Sequence, residues 1–391
     1  MRVIGLMSGT SYDAVDAAAA DLHLDGTTLV LRPLGAIGVP HPADLRDRIA
    51  AVLPPAAVTA AALCRLDTEI GQVFAEVAAR AVGELCGGRA DLVVSHGQTI
   101  FHWVDAGQVR GTLQIGQPAW IAERTGLPVV ADLRARDVAA SGQGAPLVSA
   151  VDALLLAGRP GTPAALNLGG IANITVVPAA GPPLAFDTGP ANALIDAVVT
   201  DRTGAAFDAG GTLAARGRVL PDLLERLLAD PYYAAAPPKT TGKEHFHLPY
   251  LHAVLDGTEP RTDDLLATLT ALTARTVADA IAPHGVTELI AAGGGTRNPT
   301  LMAALDAAIG PATLRISDEL GLPAAAKEAY AFALLGFLTA HGLPATLPSC
   351  TGARGPRVLG AVVPGRTGFP RTADVTQPPQ TLRIEVVDGP G

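Results

Sequence analysis

Concentrated positive charge is missing from this 391-residue chain: 28 basic residues stand against 37 acidic ones, and the net charge is −9. No Lys/Arg run occurs, so the basic patch or arm of a nucleic-acid binder is absent and no nucleic-acid partner is expected. Cysteine is scarce as well. Cys64, Cys86 and Cys350 are odd in number and widely spaced. Without CxxC or Cys/His spacing they imply neither a disulfide framework nor a zinc site, and burial as small hydrophobes is the expectation. No stretch approaches 18 apolar residues without a charge or a breaker, so no transmembrane helix and no membrane partner are expected. The apolar run at the start, MRVIGLMSGTSYD, is too short for a signal peptide. A cytoplasmic protein fits these absences. Two common nucleotide signatures are also missing. No GxxxxGK[ST] occurs, Thr241-Gly242-Lys243-Glu244 being the nearest approach, and no GxGxxG opens a helix after a strand.

What is present is a globular composition, 49% hydrophobic and 17% charged, able to bury a large core. At about 150 residues per domain the length predicts two or three domains. The pattern along the chain supports two. Residues 2–6 read as a strand running into a Gly/Ser/Thr turn, and 28–34 as a strand after the Asp25-Gly26 turn signal. Residues 59–86 and 146–157 read as helices, with buried strands at 91–95 and 127–132. The alternation then restarts: strands at 164–170, 171–177 and 184–187, helices near 190–202 and 262–284, a strand at 288–292, and a last helix at 324–341. Two similar α/β units follow, although the sequences do not visibly repeat. The expected division is 1–134 with 345–370 returning to it, then 135–344. Residues 371–391, rich in Pro, Gly and Thr with one possible strand at 382–387, are expected to be a loosely attached tail.

Three Gly-rich turns follow strands: residues 7–11, 169–173 and 293–298. Glycine lets backbone N–H groups approach phosphate oxygens, because no Cβ intervenes. Any one such turn is equally readable as plain punctuation. Three of them, spread over two duplicated halves, suit a nucleotide held in a cleft.

These turns lie within a longer ordered set of motifs. Gly5-Leu6-Met7-Ser8-Gly9-Thr10-Ser11-Tyr12-Asp13-Ala14-Val15-Asp16 resembles the signature GLMSGTSLDGVD of the anhydro-N-acetylmuramic acid kinases. Ser95-His96-Gly97-Gln98-Thr99, Gln114-Ile115-Gly116, Asp132-Leu133-Arg134 and Gly142-Gln143-Gly144-Ala145-Pro146-Leu147 are similar to further family motifs. So are Asn167-Leu168-Gly169-Gly170-Ile171-Ala172-Asn173, Phe186-Asp187-Thr188-Gly189-Pro190, Pro238-Lys239-Thr240-Thr241-Gly242-Lys243-Glu244, Gly293-Gly294-Gly295 with Asn298-Pro299, and Thr351-Gly352-Ala353. The likeness runs in order from residue 5 to about 363. Tyr12, Ala14, Ser141 and Ala191 depart from it, the last three standing where the family has Gly.

The resemblance implies an α/β fold of two ribonuclease-H-like domains, of the actin/hexokinase/Hsp70 type, with an interdomain cleft. It implies a homodimeric enzyme of cell-wall recycling that uses ATP and Mg²⁺. Water opens a 1,6-anhydro sugar, which is phosphorylated at O6 to give N-acetylmuramic acid 6-phosphate. A kinase of another anhydro sugar, such as levoglucosan, and a non-catalytic ATP-binding module of the same fold are the alternatives. By the same likeness ATP is placed at Gly9, Thr10, Ser11, Tyr12, Asp13, Ala14, Val15 and Asp16, at Gly169, Gly170 and Asn173, and at Gly293, Gly294, Gly295 and Asn298. The sugar is placed at Ser8, His96, Gln98, Arg134, Thr188 and Asn192, and Mg²⁺ at Glu328.

Opening an acetal with water needs a base, which a carboxylate can supply. Asp187 ends a predicted strand before Thr188-Gly189-Pro190. It reads either as that base or as a helix cap, and the resemblance selects the base. Asp132 and Asp137 are rivals beside another strand end. Glu328 is a water-mediated Mg²⁺ ligand or an exposed helix residue beside Lys327. His96 is a sugar contact or a structural hydrogen-bonder. Lys239, Thr240 and Lys243 form a solvated loop or a substrate cover. Arg134 and Arg136 could meet a lactyl carboxylate.

Overall fold

The computed structural model describes residues 1–386 except Thr10, Pro55, Ala106, Lys243, Asp374 and Thr376. Two units make up the chain: Met1–Ala157 with Ala326–Gly391, and Gly158–Ala325.

In the first unit β1 (Arg2–Met7), β2 (Ala14–Asp25) and β3 (Thr28–Pro40) form an antiparallel meander. β4 (Leu92–Ser95) lies parallel to β1. A separate hairpin follows, β5 (Gln98–Asp105) with β6 (Gln108–Ile115), and then β7 (Val129–Ala131), parallel to β4. β1, β4 and β7 are apolar runs with no polar alternation because both faces of the sheet are covered. Side chains alternate across a strand. Ile4 and Leu6 therefore join the core under helix Ala60–Cys86 with Ile70 and Phe74, while Gly5 faces helix Lys327–Ala340. That helix comes so close that a Cβ on Gly5 would stand 2.0 Å from the Ala329 carbonyl oxygen, and one on Gly336 would stand 2.1 Å from a Val94 methyl.

The second unit repeats the plan. β8 (Pro163–Leu168), β9 (Ile171–Val176) and β10 (Leu184–Pro190) form the meander. β11 (Glu288–Ala292) is parallel to β8, and β12 (Thr313–Ile316) to β11. The order β10-β9-β8-β11-β12 matches β3-β2-β1-β4-β7 in the first sheet, the ribonuclease-H-like arrangement in both units. Leu166, Ile174 and Phe186 fill the core with Ala274, Val277, Leu301 and Leu305. Helix Thr262–Ile281 belongs to this core. Its segment Thr262–His284 is long and apolar enough to cross a membrane by length and composition alone, yet 72% of its most apolar 18-residue window is buried inside the protein, as in a core helix.

Residues 135–157 and 326–344 group with the first unit; for 326–344 the close Gly5 and Gly336 contacts bind the last helix to β1 and β4. The hairpin β5–β6 was not foreseen. Nor is the segment after 371 a loose tail throughout. β14 (Thr381–Ile384) adds a parallel strand to the edge of β3, buries Leu382 and closes an otherwise open strand edge; before it, β13 (Ala361–Val363), in the stretch expected to return to the first unit, pairs with β7.

Candidate active site

The first Gly turn sits on a buried polar network. Ser8, completely buried, donates its hydroxyl to Gln98 Oε1 at 2.7 Å and lies 3.2 Å from His41 Nε2 and 3.0 Å from the Ala14 carbonyl oxygen. Gln98, also completely buried, donates its amide to the carbonyls of Gly9 and Thr99 at 3.2 and 3.3 Å. Tyr12, at φ 43°, closes the turn by donating its N–H to Gly9 O. Ser11 and Asp13 lie exposed and hydrogen-bonded to each other, whereas Val15 is buried in the core. Ala14 and Asp16 lie on β2, and Thr10 is outside the described residues.

His96 stands at the end of β4 against Phe332, with ring centroids 4.7 Å apart. Its Nδ1 is 2.8 Å from Gly97 O, and its Nε2 accepts from Arg134 Nε at 3.0 Å. Burial first, and the Arg134 charge second, hold its pKa well below the ordinary 6.5, so the ring is neutral. Arg134 also donates to Gly144 O at 2.7 Å. Burial lowers its own pKa to about 10, opposed by the charges of Glu328 and Asp137. Glu328, partly exposed in the first turn of helix Lys327–Ala340, thus faces Arg134 electrostatically.

The two rivals for the base differ. Asp137 is fully buried; its oxygens accept from Gly144 N–H at 2.7 Å and from the Thr351 hydroxyl at 2.8 Å. It is a staple for the loop that carries Gly142 and Gly144. Asp132 is exposed at φ 54°. Arg136 is exposed too.

In the second unit the register places three polar residues in line. Asn167 on β8 is opposite Asn173 on β9, which is opposite Asp187 on β10. They occupy the face away from the Leu166, Ile174 and Phe186 core, by strand alternation. Beside them, a Cβ on Gly293, whose φ is 90°, would stand 2.6 Å from Asn167 Oδ1. The turn Gly169–Gly170 is tied to the following helix: Ala191, Asn192 and Ala193 donate their N–H groups to its carbonyls, and the Asn192 amide donates to Gly169 O at 2.8 Å. Gly295 packs on the same Asn192 and Leu168. The second and third Gly turns therefore meet, with Asn192 between them. Thr188 is buried and donates to Ala172 O. Asn298 caps helix Pro299–Ala308, accepting from Leu301 N–H at 3.0 Å, while Gly294 has room for a Cβ, with Arg297 the nearest neighbour at 3.8 Å.

Asp187 lies where the β9–β10 register shifts. Its Oδ2 accepts from Thr241 N–H at 2.9 Å, and Tyr232 Oη donates to its carbonyl at 2.7 Å. Burial raises its pKa from 3.8 to about 7; Glu244 adds to the rise, and the Thr241 bond and Lys239 oppose it. A general base works best with a pKa near the working pH.

The family model described as Anhydro-N-acetylmuramic acid kinase matches residues 1–365. The chain belongs to this family. An anhydro-N-acetylmuramic acid kinase of Streptomyces coelicolor is 63% identical, with 100% of both chains covered. That of Rhodococcus erythropolis is 59% identical, over 99% of this chain and 100% of its own. Among solved structures, a ROK family glucokinase from Streptomyces griseus in complex with glucose and AMPPNP matches at 15% identity and a TM-score of 0.37, covering 86% of this chain and 99% of its own.

Two groups that the sequence reading did not assign to a site belong to this geometry. His41 completes the Ser8 network, and Tyr232 holds Asp187. Neither lies in a Gly-rich motif, so no local pattern marked them. Asn167 had a signal, its place one residue before Leu168-Gly169-Gly170 on a strand shared with the turn. Lys243, expected in the polar loop, is outside the described residues.

Proposed function

We propose that this kinase transfers phosphate from ATP to 1,6-anhydro-N-acetylmuramic acid while water opens the anhydro bridge, giving ADP and N-acetylmuramic acid 6-phosphate. The observation that supports the chemistry most directly is Asp187, a carboxylate with its pKa raised to about 7 in line with Asn173 and Asn167. Asp187 takes a proton from water. The water oxygen bonds to C1 as the bridge C1–O bond breaks. The freed bridge oxygen, still on C6, attacks the γ-phosphorus and ADP leaves. Asp187 then returns its proton to solvent. N–H groups of the glycine turns are the donors suited to the phosphates. Ser8, Gln98 and Asn192 act by shaping those turns, and Arg134, held by His96, is the cation suited to the lactyl carboxylate.

No group of three or more His, Cys, Asp or Glu suited to a metal occurs among the described residues. Mg²⁺ carried on nucleotide phosphates needs only one or two carboxylates and keeps several waters. Glu328, partly exposed, fits as that carboxylate through water. When bound, Mg²⁺ neutralises charge on the transferring phosphoryl group. A homodimer working in the cytoplasm in murein recycling completes the proposal.

The test is ADP release with the anhydro-muramic sugar, levoglucosan, N-acetylmuramate, glucose and no sugar. Release with the first alone is expected. Equal turnover of levoglucosan, or release independent of sugar, overturns the reading. In ¹⁸O water the label should enter C1 and not the phosphate.

A further inference from the structure

We propose that Tyr232 and Lys239 are positioning residues that lock Asp187 in place through a closed ring of three hydrogen bonds. The inference rests on Asp187 being the base.

β10 is an edge strand of its sheet, and the carbonyl and amide of Asp187 find their partners in Tyr232, on the short helix Pro231–Ala234, and in Lys239 just beyond it. Tyr232 Oη donates to Asp187 O at 2.7 Å. Asp187 N–H donates to Lys239 O at 3.1 Å. Lys239 Nζ donates to Tyr232 O at 3.1 Å and closes the ring. Each residue gives one donor and one acceptor, so no member can move without breaking two bonds. The Lys239 ammonium is held further by the Tyr233 carbonyl at 3.1 Å, and it lies 4.7 Å from the centre of the Tyr232 ring. Thr241, two residues beyond Lys239, donates its N–H to Asp187 Oδ2 at 2.9 Å. The ring therefore fixes where residues 239–241 lie against the Asp187 carboxylate.

The clasp also brings charge near the Asp187 carboxyl. The charged groups acting on that carboxyl come from the same segment: Lys239 favours its ionised form and Glu244 opposes it. Asp187 in turn raises the pKa of the Tyr232 phenol, after burial, so Tyr232 stays a neutral donor. Lys239 thus has two effects on Asp187, one geometric and one electrostatic.

The full-length enzyme is assayed as Tyr232→Phe, Lys239→Met, Lys239→Arg and Asp187→Asn, with kcat, both KM values, thermal melts and kcat between about pH 5 and pH 9. Tyr232→Phe removes one hydroxyl and should lower kcat roughly ten- to a hundredfold, the cost of a misplaced catalytic group, with the KM for ATP unchanged. Lys239→Met should also move the acid limb of the kcat profile to higher pH, and Lys239→Arg should leave that limb in place. If Tyr232→Phe and Lys239→Met keep wild-type kcat and limb while Asp187→Asn is inactive, the ring is structural only and the base assignment stands. Wild-type turnover by Asp187→Asn overturns the base assignment and this inference with it. Should Tyr232→Phe not fold, the two Lys239 variants decide: identical limbs in Met and Arg overturn the proposal.

Discussion

The Gly turn of the first unit and the Asp187 site of the second are both polar, yet they hold their side chains in different ways. Around the first turn Ser8, Gln98, His41 and His96 are buried and bonded to one another, to backbone or to Arg134. Their polar atoms are taken up in fixing a backbone. In the second unit the half-buried Asp187 carboxyl has its pKa raised to about 7 by desolvation. Burial acts against the charged form in both places. It keeps histidines neutral in one, and raises the proton affinity of a carboxyl in the other.

The sharpest way to break this contrast is Asp187→Asn. The amide keeps the shape and cannot accept the water proton, so kcat should fall roughly 10²–10⁴-fold with ATP affinity unchanged, by calorimetry and steady-state kinetics. The wild-type kcat should drop on acidification through about pH 7. Near-normal turnover in the variant would leave the exposed Asp132 as the candidate.

Stability against pH should divide the two regions by sign. The folded-state pKa of Asp187 is above its unfolded value of 3.8, so the native state binds more protons between pH 3.8 and about 7. Its contribution weakens as pH rises through that window. Asp187→Asn should therefore gain melting temperature over the wild type at pH 8 and little at pH 4. His96 and His41 are depressed below 6.5, so the unfolded state binds more protons as pH falls through 6.5 and the wild type loses stability there. His96→Gln should flatten that acid-side loss. The same slope in both proteins would mean that the imidazole titrates freely.

Ser8→Ala leaves the Gln98 oxygen and His41 without their buried partner and should cost roughly 1–3 kcal/mol. Denaturant unfolding measures it, and the KM for ATP should rise as the Gly9 turn loosens. An unchanged stability would mean that water replaces the hydroxyl. The smallest effect is expected at Asn298→Ala, about 1 kcal/mol for a lost N-cap with the KM for ATP unchanged. A large rise in that KM would make Asn298 a nucleotide contact in addition to a cap.

Much of the plan was legible in the chain. Apolar runs marked β1, β4, β7 and β11, because a strand covered on both faces has no reason to alternate. Thr99-Ile100-Phe101-His102-Trp103-Val104 carried the aromatic and β-branched signal of a strand, and the hairpin it forms was still missed. The last helix was legible as a helix. Its membership of the first unit was not, since that depends on Gly5 and Gly336, residues that look like ordinary punctuation until another backbone lies against them.

By itself the sequence determined the family, the doubled α/β plan, the three glycine turns and Asp187 as a candidate base, all of which follow from residue types at short spacing. Only the tertiary structure decided what those residues do locally. It turned Ser8, Gln98, Thr188 and Asn298 inward, aligned Asn167, Asn173 and Asp187 across three strands, and raised the Asp187 pKa. Register, burial and a partner about 50 residues away cause these effects, as Thr241 is to Asp187. Such separations are invisible to local pattern, because hydrogen bonds and desolvation depend on distance in space and not along the chain.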